Sequence, residues 1–224
     1  MYNHCMIKGI LFDMDGTLSD RLGAAYDMYD WCVSQMGDLP PLEKERVVQD
    51  LMLWDQFGFV NKKEVWQKLK DKYLPDLVVD EWTKRWYGNF FRFQRLRQDC
   101  ADVLSDLRKD YKLGIVTNGS ADSQMAKVKA LGLDQMVDCV VTEGDLGFGK
   151  PDPRVFVYAA DRLCLPCDEI CFVGDTFSTD IYGALKAGMK ALWLCLEHQG
   201  VSRYNVKQIS GLNDIRGVIE REWR

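Results

Sequence analysis

The sequence predicts an α/β fold: a parallel sheet with helices on both faces, interrupted by an all-helical, four-helix insertion. Three observations carry this reading. Short apolar runs, such as Ile10-Leu11-Phe12 and Ile170-Cys171-Phe172-Val173, end in small or acidic residues, as buried parallel strands do. From Asp99 onward strand and helix signals alternate. Between Leu18 and Phe93 the strand signal disappears and only helical spacing remains.

The first strand, 10–12, ends in Asp13, Asp15 and Gly16. Residues two apart in an extended segment point the same way, so the two carboxylates can converge on one ligand, while the glycine lets the chain turn. The helical stretch follows. Leu22, Tyr26, Tyr29, Val33 and Met36 recur at three- and four-residue intervals, and Gly37 is a stop signal. After Pro40-Pro41 a second helix is predicted over 42–57, before Gly58. Asn61 is the expected N-cap of a third helix over 62–74, and Asp80 that of a fourth carrying Trp82, Trp86, Phe90 and Phe93. Helical periodicity alone accounts for this aromatic stripe, so it reads as packing rather than as a pocket lining.

The alternating part opens with a helix through Val103, Leu104 and Leu107. A strand over 113–117 closes in Thr117-Asn118-Gly119, and a helix over 122–130 stops at Gly132. A strand over 137–142 leads into a glycine-rich loop, 143–149, and then Lys150-Pro151-Asp152-Pro153 starts a helix over 154–163. The strand at 170–173 runs into Gly174-Asp175-Thr176-Phe177-Ser178-Thr179-Asp180, followed by a helix to 187, a strand over 190–195 and a last helix over 214–222.

Composition narrows the function. The net charge of -5 gives no electrostatic footing for nucleic acid or an anionic membrane. No apolar run approaches the ~18–20 residues of a membrane span. The eight cysteines, Cys5 among them, follow no secretory signal, so reduced thiols in the cytoplasm are expected. Cys164-Leu165-Pro166-Cys167 has redox or zinc spacing, but there is no second pair, and the two histidines, His4 and His198, are too few to complete a site.

Four strand ends carry polar groups: Asp13 with Asp15, Thr117 with Asn118, Lys150 beyond a strand and its loop, and Asp175 with Asp180. Each has a bland reading as turn or capping chemistry. On one edge of one parallel sheet they make a site with carboxylates, an ammonium and a hydroxyl, suited to a divalent cation and a phosphoryl group.

These motifs resemble the haloacid dehalogenase superfamily, in the branch with a helical cap inserted after the first motif. The matching residues are DMDGTL at 13–18, TNG at 117–119, KPDP at 150–153 and GDTFSTD at 174–180, in family order across the whole core. The resemblance implies a Rossmann-like core of residues 1–17 and 95–224 and a cap of residues 18–94 that opens and closes over the site. It implies Mg²⁺ held by the Asp13 carboxylate, the Asp15 carbonyl and the Asp175 carboxylate, with Asp180 binding a metal-bound water or orienting Lys150. Asp13 becomes the nucleophile. Asp15 becomes the leaving-group acid and later the base, with a pKa raised by Asp13 and partial burial. Thr117 and the Asn118 amide hold phosphoryl oxygens, and Lys150 balances charge.

The function so implied is a Mg²⁺-dependent phosphatase acting on a small phosphorylated metabolite of sugar phosphate, nucleotide or phosphoglycolate type. The alternative is a phosphosugar mutase, which also needs both aspartates. A 2-haloacid dehalogenase, which needs no second aspartate, fits less well. So does a phosphonatase, which requires a Schiff-base cap lysine, since none of Lys62, Lys63, Lys68, Lys70, Lys72 and Lys84 is marked out for it, and so does an inactive binding protein. Monomer and homodimer remain equally open.

Overall fold

The computed structural model describes residues 6–195, 204 and 206–223, so Cys5, His4 and His198 lie outside the described residues. Six strands form one sheet: β1 (Gly9–Phe12), β2 (Lys112–Thr117), β3 (Cys139–Thr142), β4 (Ile170–Gly174), β5 (Lys190–Leu194) and β6 (Lys207–Ile209). Their order is β3-β2-β1-β4-β5-β6, and every neighbouring pair is parallel. The chain builds outward from β1 to β3, then returns to the other side of β1 for β4. That reversal makes the β1/β4 boundary the switch point, where the crevice beyond the strand ends is open to a ligand.

The strands are buried on both faces, and their two-residue period divides the apolar side chains between two clusters. Ile10, Phe12, Leu113, Ile115 and Val173 join Val103, Leu104 and Leu107 of α5 (Cys100–Leu107), Val128 of α6 (Ala121–Ala130) and Ile215 and Ile219 of α10 (Ile215–Glu222). Leu11, Val116, Ile170 and Phe172 join Val155, Phe156 and Ala159 of α8 (Pro153–Leu163) and Ala184 of α9 (Tyr182–Lys186). A parallel sheet needs both layers, because neither face can be left to water.

Packing divides the described chain into two compact units, one drawn from Met1–Ser19 and Leu96–Arg224, the other Asp20–Arg95. The second unit is helical: α1 (Arg21–Met36), α2 (Pro41–Asp55), α3 (Lys62–Lys72) and α4 (Val79–Asn89). Asp20 caps α1 by accepting from the Gly23 amide at 3.0 Å, and Asn61 caps α3 through Lys63 N at 2.9 Å. Trp66, Trp86 and Tyr29 fill its centre, with Tyr29 and Trp86 ring centroids 4.4 Å apart. Trp82, Trp86 and Phe90 of the aromatic stripe are buried in the same cluster and Phe93 packs against it, so most of the stripe is core.

One buried ionic group sits among these rings. Asp55, 1 % exposed, accepts from Arg21 Nη2 at 3.0 Å, from Tyr29 Oη at 2.9 Å and from Lys62 Nζ. Burial pulls the Asp55 carboxyl upward, but Arg21 and Lys62 outweigh it and hold the group below the usual carboxylate range.

The structure departs from the sequence reading in four places. Residues 143–149 are not all loop: α7 (Glu143–Leu146) is a single turn, capped by Thr142 accepting from Asp145 N and ended by Gly147 at φ +73°. The helix of the aromatic stripe starts at Val79, with Asp80 inside its first turn rather than at its cap. A turn of π-helix, Phe177–Ile181, precedes the short α9. Strand β6 was not expected; its three residues pair with β5 at Leu192↔Lys207 through Leu194↔Ile209, and a stretch so short with one apolar residue leaves no periodicity to read. Among the described residues the seven cysteines are free thiols, and no helix is long and apolar enough to cross a membrane.

Candidate active site

Strand β1 delivers Asp13 to the switch point, and the Asp13 amide still pairs with β4 through Val173 O at 2.9 Å. The chain then folds on itself: Leu18 N and Ser19 N both donate to Met14 O at 3.0 Å, around Gly16. Gly16 has φ +93°, and a Cβ there would lie 2.4 Å from the Asp175 carboxylate. Only glycine permits both the left-handed turn and this approach.

Lys150 is the centre of the site. Its ammonium lies 2.5 Å from Asp13 Oδ1 and 2.8 Å from Asp180 Oδ1, with its side chain 3 % exposed. Its backbone is fixed by Asn118, whose side-chain amide donates to Lys150 O at 2.7 Å and accepts from Lys150 N at 2.8 Å. The side chain of Asn118 therefore ties the end of β2 to the segment bearing Lys150. Gly149 makes room, since a Cβ there would meet Asn118 Oδ1 at 2.6 Å. On the other side Asp180 Oδ2 accepts from the Thr176 amide at 3.0 Å, and Trp193 Nε1 donates to the Asp175 carbonyl at 2.8 Å.

Carboxylate oxygens of Asp13, Asp175 and Asp180 lie within 4.8 Å of one another. Three carboxylates face one ammonium, and the electrostatics record the imbalance. Burial pushes the Asp13 carboxyl well above the usual range; Lys150 opposes this, while Asp180 and Asp175 add to it. Asp175 is pushed up to about 6, by burial first and by Asp180 next, against Lys150. Lys150 itself is held protonated: burial works against its charge, and Asp13 and Asp180 overcome that. An all-oxygen group with unbalanced negative charge fits a hard divalent cation, which would return Asp13 to its ionised form.

Asp180, expected to bind a metal-bound water or to orient Lys150, pairs with the Lys150 ammonium and shares the carboxylate cluster. The Asp15 side chain instead turns to α6. Lys127 Nζ lies 2.6 Å from Asp15 Oδ2, and Gln124 Nε2 reaches the same oxygen at 3.3 Å. Gln124 Nε2 also donates to Thr117 Oγ1 and, at 2.7 Å, to Asn118 O. Thr117, 1 % exposed, thus closes β2 beside the turn that holds Asp15. Sequence reasoning passed over Gln124 and Lys127. The available signal was that 124, 127, 128 and 131 share one helical face on which two of the four residues are polar.

A family model described as haloacid dehalogenase-like hydrolase matches residues 7–188. Among curated proteins, N-acylneuraminate-9-phosphatase of Rattus norvegicus is 34% identical over 216 residues, covering 84% of this chain and 82% of the relative. Glyceraldehyde 3-phosphate phosphatase of Methanothermobacter thermautotrophicus is 29% identical, covering 91% and 92%. Among solved structures, a HAD phosphatase from Thermococcus onnurineus superposes with a TM-score of 0.63 at 29% identity, over 97% of this chain and 100% of that one. The HAD-hydrolase YfnB from Bacillus subtilis, solved bound to magnesium, gives 0.79 at 21% identity over 96% and 99%, a likeness of fold.

Proposed function

The chain belongs to the haloacid dehalogenase-like hydrolases, and from that premise we propose that it is a Mg²⁺-dependent phosphatase of small phosphorylated metabolites working through an aspartyl-phosphate. The observation that carries the proposal is Lys150 held between Asp13 and Asp180, with Asp175 in the same oxygen cluster.

A carboxylate of Asp13 attacks phosphorus, the bond to the leaving oxygen breaks, and Asp15 gives that oxygen its proton. In the second half Asp15 takes a proton from water, whose oxygen attacks phosphorus and frees the Asp13 carboxylate. Lys150 neutralises charge on Asp13 and on the phosphoryl oxygens, which Thr117 and the Asn118 backbone amide also receive. Such preorganised charge is usually the largest catalytic contribution. Asp13, Asp175 and the Asp15 carbonyl would hold Mg²⁺, which when bound would supply Lewis-acid stabilisation of the phosphoryl group.

The names of the curated relatives support phosphate-ester chemistry. We place sugar phosphates, nucleotides and phosphoglycolate-type esters in the substrate class. Residues 20–95 serve in this reading as the cap that selects among them. The presence of Asp15 supports ester hydrolysis over dehalogenation, because a halide leaves without a proton. A cytoplasmic location belongs to the same proposal and is supported by the free thiols.

The test is phosphate release from p-nitrophenyl phosphate and from a panel of phosphorylated metabolites, with Mg²⁺ and with EDTA. Metal-dependent release is expected across pH 5–9. Halide release from a 2-haloacid without phosphate release, or no turnover of any ester, would overturn the assignment.

A further inference from the structure

Helix α6 carries two polar side chains where an amphipathic helix next to the core has apolar ones. Gln124 is 3 % exposed and Lys127 7 %, while Val128, on the same face, joins the sheet core. Burying an ammonium carries a desolvation penalty, and a methionine of similar volume would fill the space without it. A fold alone gives no reason for this pair.

Both side chains converge on one atom. Lys127 Nζ and Gln124 Nε2 lie 2.6 and 3.3 Å from Asp15 Oδ2, and Gln124 also reaches Thr117 Oγ1 and Asn118 O. Asp15 stands on a turn beyond β1, outside any regular element that would fix its side-chain rotamer. Asn118 in turn holds the backbone of Lys150. One face of α6 therefore joins the Asp15 carboxylate to the two segments that carry the phosphoryl-binding groups.

We propose that Gln124 and Lys127 are positioning residues for Asp15: they hold Oδ2, so that proton exchange is assigned to Oδ1. As the leaving oxygen takes the electron pair of its bond to phosphorus, Oδ1 gives it a proton. As water later attacks phosphorus, Oδ1 takes the proton back. This rests on the assignment of Asp15 as leaving-group acid.

The test compares kcat and KM of wild type, D15N, K127M, K127R and Q124M. The substrates are p-nitrophenyl phosphate, whose leaving group needs no proton, and an alkyl phosphate that wild type turns over. K127M is expected to lose roughly 10–100-fold in kcat on the alkyl ester and far less on the aryl ester, with KM nearly unchanged. K127R restores most of the loss, Q124M shows the same selectivity more weakly, and K127M adds little in the D15N background. Thermal melts confirm that each variant is folded; if K127M is not, Q124M carries the comparison. Equal losses of K127M on both substrates, or none, while D15N stays selective, would overturn the inference and leave the phosphatase reading intact. An unselective loss in D15N would instead remove the acid role of Asp15, and this proposal with it.

Discussion

Each unit of the molecule buries lysine against aspartate, with opposite charge balance. In the helical unit one carboxylate, Asp55, receives two cations and a tyrosine hydroxyl. In the sheet unit one cation, Lys150, stands among Asp13, Asp180 and Asp175. Burial raises carboxylate pKa values in both places. What differs is the sign of the surplus: Asp55 ends below its usual range, while Asp13 and Asp175 end above theirs. The first arrangement stabilises the ionised carboxylate by itself; the second, with its negative surplus, suits a bound cation. A buried charged cluster thus points to a bound cation when its surplus is negative and its carboxyls are held above their usual range.

The largest effect expected from this contrast separates activity from stability. Asp13→Asn should abolish turnover, a loss of several orders of magnitude in kcat, yet leave the melting temperature equal or higher, because it removes a surplus charge. Asp55→Asn should do the reverse to the helical unit. It removes the carboxylate shared by the half-buried Arg21 and the buried Lys62, at a cost of about 3–5 kcal/mol in chemical denaturation. A stable Asp55→Asn protein would break the comparison.

Next in size is the response to metal. Mg²⁺ at 100 times its Kd should add about 2.7 kcal/mol to the stability of the wild type. Thermal shift should show little gain for Asp175→Asn, and a full gain in that variant would remove Asp175 from the ligand set.

The smallest effect is a difference in pH dependence. Asp175 is raised from 3.8 to about 6 in the folded protein, so its stabilising protonation is fully present below about pH 4 and lost as pH rises through 6. Asp55 has the opposite sign: its contribution is present above the unfolded value and lost as pH falls through the lowered folded one. Melting curves in EDTA from pH 4 to 7 should show wild type losing stability relative to Asp175→Asn as pH rises, and Mg²⁺ should remove that difference. A flat difference curve would show that Asp175 titrates normally.

The sequence by itself determined the order of strands and helices, the helix-only segment after β1 and the identities of the polar strand ends, because these depend on local periodicity and on spacing within a few residues. It named Asp13, Asp15, Thr117, Asn118, Lys150, Asp175 and Asp180. It did not show the small elements α7 and β6, too short to carry a period. Nor did it show that Asn118 grips the backbone of Lys150, or that Gln124 and Lys127 reach Asp15 across 109 and 112 residues of chain. Those facts belong to the tertiary structure alone: hydrogen bonds and ion pairs act over about 3 Å, and only the parallel sheet brings chain segments so far apart in sequence within that distance.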